Sequence, residues 1–338
     1  MRTSTLPLAV LLIFVLASAS VCAAPEAART LDRPRRPVHT YSIVARDAET
    51  GELGVAVQSH WFSVGTGVTW AEAGVGAVAT QSFTEISYGP LGLELMKAGK
   101  TAPQALAALV SVDPNADVRQ VAMVDRHGNV AVHTGAKCIV AAGDYKGDGF
   151  TTQANLMEKD TVWGAMAAAF EQAKGDLAER LTVALEAGER EGGDIRGRQS
   201  AAILVVPGTS EGSPWRERTV DLRVDDHSEP LVELRRLLNV HRTYERMDQG
   251  DAFFAEGDVE GALAEYAAAA TMSPENVEVR YWQAITMIGA GRVGEALPIL
   301  AEVFREQPRW RTLTPRLPAS GLLPEDPELM ERILRAGE

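Results

Sequence analysis

The chain reads as an α+β protein: layers of antiparallel sheet with helices packed outside them, followed by an all-α domain of helical repeats. Three observations point there. Short β-branched runs come in pairs around glycine-bearing turns, stretches with an apolar stripe of helical period lie between those pairs, and toward the end glycine, alanine and proline recur at a fixed long spacing. At 338 residues there is room for one sizeable core and a second, smaller unit.

Residues 1–23 have the make-up of a secretory signal: Arg2, an apolar core from Leu6 to Leu16, then ASASVCAAP, with Val21 and Ala23 spaced for cleavage after Ala23. The apolar core is shorter than the ~20 residues that span a bilayer, and no later run approaches that length. The product is therefore expected to be soluble and exported, periplasmic or extracellular, with no membrane span. A lipid anchor on Cys22 is the rival, and Val21 before the cysteine disfavours it. If Cys22 leaves with the signal, Cys138 is the only cysteine, no internal disulfide can form, and Cys138 reads as a small core residue. Residues 24–39, rich in proline and charge, read as an exposed linker.

The first domain is expected over residues 40–240. Residues 40–46 and 53–59 are β-branched and almost uncharged, and DAETG between them ends on Gly51, so they read as a hairpin. Neither run alternates cleanly, which predicts a hairpin covered on both faces. Two more strands follow in residues 64–81. SYGPLGLELMKAGK looks helical and stops at Gly99; Thr101 with Gln104 three residues on is a capping box for the next helix, ended by the proline in DPN. DRHGN turns a second hairpin between residues 119–124 and 129–134, and residues 138–142 with 149–153 read as a third. Val162, Met166, Phe170 and Ala173 mark one helical face, and Leu177, Leu181 and Leu185 another, stopped by Gly192 and Gly193. Strands at 201–206 and 219–224 precede a helix starting near Leu231.

Residues 241–338 are a different material. Pro274 and Pro308, Gly257 and Gly291, and Ala262 and Ala296 are each 34 residues apart, the period of tetratricopeptide helix pairs. Gly250, Phe253, Ala262, Tyr266, Ala269 and Pro274 sit at the offsets that pattern requires, and residues 329–334 read as a closing helix. Arrays of this kind hold protein or peptide partners. The first unit carries Glu245, Asp248, Asp251, Glu256, Asp258, Glu260 and Glu265 against Arg246 alone, an acidic surface suited to solubility or to a basic partner.

TYSIVARDAETGELGVAVQSHWFSVG, AEAGVGAVATQSFTEISYGPLGLELM, GGDIRGRQSAAILVV and LRVDDHSEP together resemble the bacterial and archaeal family called domain of unknown function 1028, over about residues 40–239. That family is placed by fold among the N-terminal-nucleophile hydrolases. The resemblance implies a four-layer αββα antiparallel sandwich and a chemistry, with no substrate attached. In such enzymes cleavage before a Thr, Ser or Cys at the start of a central strand frees an α-amine, which takes the nucleophile's own proton. Thr40 matches in type and position, Ser42 on the same strand face is the fallback, and a second cut after His39 is required. The likeness also makes Asp194 the carboxylate that orients the nucleophile.

Other candidates surround these. Ser59 and His60 close the strand opposite Thr40, and His60 is the one side chain of the hairpin that titrates near neutrality. Asp194, Arg196, Arg198, Gln199 and Ser200 crowd seven positions ahead of an apolar strand, either as surface ion pairs or as a site rim where an arginine holds a substrate carboxylate. Gln81, Gln153 and Asn155 are amides in reach of a developing oxyanion, the alternative being that, as turn and strand-end amides commonly do, they satisfy backbone groups. Asp225, Asp226 and His227 are consecutive, so they point apart and hold no metal. Neither a phosphate-cradling glycine loop nor a dinucleotide fingerprint is present, so no cofactor is expected. The net charge of −13, without a basic run, speaks against nucleic acid. The expected function is exported amide-bond hydrolysis on a small amide or short peptide, the alternative being a non-catalytic sandwich whose repeats form a binding scaffold.

Overall fold

The computed structural model describes residues 40–337. The expected signal peptide and linker, with Cys22 and His39, lie outside them. The described chain opens on strands β1 (Thr40–Arg46) and β2 (Leu53–Ser59), joined by a turn in which Gly51 takes φ +78, a left-handed conformation that glycine adopts without steric cost. A short helix α1 (Gly65–Val68), β3 (Thr69–Glu72), β4 (Gly76–Ser82), α2 (Tyr88–Lys97) and α3 (Ala102–Val112) follow. Then come β5 (Arg119–Asp125), β6 (Val130–Thr134), β7 (Gly143–Lys146), β8 (Phe150–Ala154), α4 (Val162–Gln172), α5 (Leu177–Arg190), β9 (Ser200–Val206) and β10 (Val220–Val224). The rest is helical: α6 (Pro230–Ala255), α7 (Val259–Met272), α8 (Val277–Gly289), α9 (Val293–Glu306), α10 (Arg309–Leu313) and α11 (Pro327–Leu334).

The strands make two antiparallel sheets, ordered β10-β9-β2-β1-β8-β7 and β3-β4-β5-β6. Strand alternation divides their side chains among three apolar layers. Tyr41, Ile43, Ala45 and Ala56 pack with Met166, Leu181, Leu185 and Leu234 under α4, α5 and α6. Val44, Val55 and Val57 meet Ala77, Ala79, Ala122 and Val124 between the sheets. Val78, Val121 and Met123 pack with Leu93, Met96 and Leu106 of α2 and α3. Helices therefore lie outside both sheets, and β1 with β2 are covered on both faces. Gly54 is needed for that cover, because a Cβ there would stand 2.6 Å from Leu181 Cδ1 on α5.

Local signals set several boundaries. Thr101 accepts from Gln104 N and Gln104 Oε1 accepts from Thr101 N, the reciprocal capping box that starts α3. Gly128 at φ +83 turns β5 into β6. The third hairpin differs from its sequence expectation: β7 begins at Gly143, not at residue 138. Residues 138–142 act as a loop instead, because Ala141 sits at φ +54 and the carbonyls of Ile139 and Ala141 accept from Leu156 N and Met157 N.

The helix beginning at Pro230 runs unbroken for 26 residues, across the position where the two domains were expected to part. Its first half packs on the sandwich through Leu234 and Leu238, and its second half is the first helix of the repeats. Arg235 pairs with Glu179 and Glu186, and Arg242 with Asp176 and Glu179, so two turns of α6 are tied to α5. Gly250 lets α7 approach, since a Cβ would meet the Tyr266 ring at 3.0 Å. Tyr266 is buried and donates to Asp251 Oδ1 at 2.6 Å. The second helix pair, α8 and α9, shares an apolar core with Leu317, Leu323 and Ile333. Among the described residues no helix is long and apolar enough to cross a membrane.

Candidate functional site

Thr40 begins β1 in the middle of the six-stranded sheet, between Ser59 of β2 and the end of β8. It is fully buried, and its Oγ1 donates to Ser59 Oγ at 3.2 Å. Its carbonyl oxygen accepts from Asn155 N at 3.1 Å, Gln81 Nε2 at 3.2 Å and Asn155 Nδ2 at 3.4 Å. A carbonyl held by donors from two sheets fixes the peptide plane that follows Thr40, and with it the direction of the side chain.

Behind Thr40 lies a buried amide network. Ser42 Oγ donates to Gln81 Oε1 at 2.6 Å and accepts from Gln153 Nε2 at 2.5 Å. Gln120 joins the sheets: its Oε1 accepts from Gln81 Nε2 at 2.7 Å and Asn155 Nδ2 at 2.9 Å, and its Nε2 faces Ala154 O at 2.9 Å, Thr134 Oγ1 at 3.0 Å and Gly143 O at 3.2 Å. A polar group taken from water is stable only when its hydrogen bonds are remade, and here the amides satisfy one another.

The sequence-predicted residues divide in two. Thr40, Ser42, Ser59, Gln81, Gln153 and Asn155 come together as anticipated from their strands. Gln81, Gln153 and Asn155 are fully buried: Gln81 and Asn155 donate to the Thr40 carbonyl and Gln153 donates to Ser42 Oγ. Ser42, with its hydroxyl bonded on both sides, belongs to the same network.

The segment from Asp194 to Ser200 is laced with ion pairs and hydrogen bonds, the ion-pair arrangement that was one of its two expected readings. The Asp194 carboxylate is buried and accepts from His60 N at 3.0 Å, Arg196 N at 2.9 Å, Arg196 Nε at 3.0 Å and Arg196 Nη2 at 2.7 Å. Asp194 thereby fastens the loop after β2 to the loop before β9. Arg198 bridges Glu189 and Glu229, Gln199 donates to Asp226 at 3.1 Å, and Ser200 Oγ donates to Trp61 O while accepting from Val64 N at 3.1 Å. His60 Nδ1 is buried without a partner among the described residues.

On the helix side of the same sheet end, Tyr41 donates to Glu189 Oε2 at 2.5 Å. Burial first, and then the Glu189 charge, push its phenol well above the usual tyrosine range. Burial likewise raises the Cys138 thiol, whose Sγ sits 3.3 Å from Arg119 O, so it is a core residue and no reactive thiolate. Among the described residues no three His, Cys, Asp or Glu converge as a metal site.

The backbone is strained at this end of the sandwich. Among the described residues, the non-glycine positions with positive φ are Ser63, Ser82, Ala141 and Leu156. Ser82 follows Gln81, Leu156 follows Asn155, Ala141 O accepts from Met157 N, and Ser63 precedes Val64, which is held by Ser200. Strain of this kind collects where a site must be held in one geometry.

Residues 40–234 match the model of the family of unknown function DUF1028. The chain belongs to that family. A tetratricopeptide-repeat model matches residues 253–314. A crystal structure of a Silicibacter pomeroyi protein carrying the DUF1028 designation is similar at 30% identity, with a TM-score of 0.53, over 59% of this chain and 84% of that one. No curated protein matches. In this DUF1028 protein the residue that sequence reasoning passed over is Gln120. Its signal was present, because Gln120 shares a strand face with the core residues Ala122 and Val124, and a glutamine on a buried face needs buried partners.

Proposed function

We propose that this chain is an exported amide-bond hydrolase of the N-terminal-nucleophile type, made active when the chain is cut before Thr40. The observation that carries the reading is Thr40 itself: a hydroxyl residue opening a buried central strand, its carbonyl pinned by Gln81 and Asn155 and its Oγ1 directed at Ser59. The arrangement of helices outside two stacked antiparallel sheets, and the strained positions around Thr40, support it.

Cleavage would convert the Thr40 amide nitrogen into a free amine beside its own hydroxyl. Oγ1 attacks the substrate carbonyl carbon while the amine takes its proton; the C–N bond breaks, the leaving nitrogen receives that proton, and an ester on Thr40 remains. Water then adds to the ester with the amine again as base, releasing the acid and restoring Thr40. Ser59, bonded to Oγ1, holds the hydroxyl in line, and Asp194 keeps the neighbouring loops in register through His60 N and Arg196. The repeats add a docking function for a protein or peptide partner, supported by the tetratricopeptide match.

The mass of the mature protein from its native compartment tests the reading. A chain starting at Thr40 is expected, together with loss of amide hydrolysis in Thr40→Ala. A mature chain that begins at Ala24 would overturn the hydrolase and leave the binding scaffold.

A further inference from the structure

We infer that the amide cleaved at Thr40 carries a neutral, apolar group beside its scissile carbonyl, and that Phe62, Val140 and Ile195 select it. This inference rests on the hydrolase reading above. The loops bordering Thr40 can be traced by their hydrogen bonds. Asn155 N donates to Thr40 O at 3.1 Å; Leu156 N and Met157 N donate to Ile139 O at 3.3 Å and Ala141 O at 3.2 Å; Ile195 N donates to Leu156 O at 3.3 Å. His60 N donates to Asp194 at 3.0 Å, and Met157 pairs with Asp194. The segments 60–63, 138–142, 155–157 and 194–197 therefore lie together around the start of β1.

Each of three of these segments turns a large apolar side chain outward. Phe62 is 64% exposed, Val140 83% and Ile195 60%. Single exposed apolar residues are ordinary, but several on adjoining loops about one strand end mark a place where apolar surface is covered in use. The loops are also fixed: Ser63, Ala141 and Leu156 hold positive φ, and Asp194 ties two of the segments together. The rim is thus a set of apolar contacts held in place.

Charge argues the same way. The guanidinium groups at this end are engaged: Arg196 on Asp194, Arg198 between Glu189 and Glu229, and Arg119 on Asp113 at 2.9 Å. A substrate carboxylate competing for Arg196 would leave the buried Asp194 carboxylate without its counter-charge, which is costly. A neutral chain loses nothing by binding here and removes Phe62 and Ile195 from water.

The test uses the full chain with a site-specific protease sequence in place of residues 35–39, cut after folding so that Thr40 is first. Two β-lactones of equal size are compared, one bearing an alkyl tail and one a carboxylate-ended tail, with Thr40 acylation followed by mass and peptide mapping. The alkyl lactone should label Thr40 about tenfold faster. In Phe62→Ser with Ile195→Ser, both outward-facing positions, that ratio should fall toward about one. Equal labelling, or preference for the carboxylate, would overturn the inference and leave the hydrolase standing. Absence of label from either lactone would overturn both.

Discussion

Gln58 and Gln120 are both fully buried glutamines in central strands, and replacing each with methionine should move stability in opposite directions. Gln58 lies on the helix-facing side, paired with Tyr41 and Ala201, and neither its Nε2 nor its Oε1 has a partner among the described residues. Methionine has a similar shape and no amide to desolvate, so Gln58→Met should gain about 1–3 kcal/mol, the usual cost of a buried unpaired polar group. Gln120→Met instead orphans the amide hydrogens that Gln81 and Asn155 direct at Oε1, and the Ala154 carbonyl. At about 1–3 kcal/mol per orphaned group, partly relaxed, the loss should be about 3–5 kcal/mol. For a unit of this size that corresponds to a thermal midpoint raised by roughly 2–12 °C in the first variant and lowered by roughly 6–20 °C in the second. Calorimetry of the full chain and both variants measures it. A Gln58→Met protein less stable than the parent would show that the Gln58 amide is hydrogen-bonded in solution. A Gln120→Met protein within about 1 kcal/mol of the parent would refute the claim that the network holds the two sheets in register.

Three further outcomes follow from the same geometry. Thr40→Ala should abolish hydrolysis while costing only about 1 kcal/mol in denaturant unfolding, and retained turnover would make Thr40 structural. Asp194→Asn puts an amide against three donors of Arg196 and the His60 N–H, so it should destabilise by about 3 kcal/mol in the same assay, against less than about 0.5 kcal/mol for the surface change Gln199→Leu. Acid should weaken the fold. Burial pushes the Asp47, Asp113 and Glu179 carboxyls up, but hydrogen bonds from Thr50 N and Glu49 N, from Arg119, and from Arg235 and Arg242 respectively hold them below the usual range. A carboxyl with a lowered folded pKa binds fewer protons folded than unfolded, so its stabilisation is complete above the ordinary carboxylate range and disappears as pH falls through the lowered value. The thermal midpoint should be flat from neutrality to about pH 5 and fall below about pH 4, and Glu179→Gln should make that fall shallower.

The sequence was most legible where one residue type had one physical job. Gly51 and Gly128 turned the hairpins as expected, Thr101 with Gln104 capped α3, and the spacing of Gly250, Ala262 and Tyr266 placed the repeat helices. What escaped depended on partners far along the chain. Residues 138–142 have strand-like composition, yet their carbonyls are taken by Leu156 and Met157, and no local pattern reveals that. For Arg196 and Arg198 the sequence left ion pairs and a site rim both open, because Asp194's buried geometry and the approach of Glu189 and Glu229 are products of folding. The amides were recognised, but their direction was not: Gln81 turns toward Gln120 only because β4 and β5 lie in register, Gln81 opposite Gln120.

Helix α6 stores a direction as well as a length. Its 26 residues rise about 39 Å, and each residue also advances the helix by about 100°. The bearing of the repeats about that axis is therefore set by a residue count. One residue inserted after Asn239 would turn everything downstream by about 100° and carry Arg242 off the face that meets Asp176 and Glu179. Insertions of three or four residues, close to one full turn, would nearly restore the heading while shifting the array about 5 Å along the axis. A lengthened α6 keeps the bearing of the repeats only when whole turns are added, as a threaded shaft accepts only whole rotations if its far end must keep facing the same way.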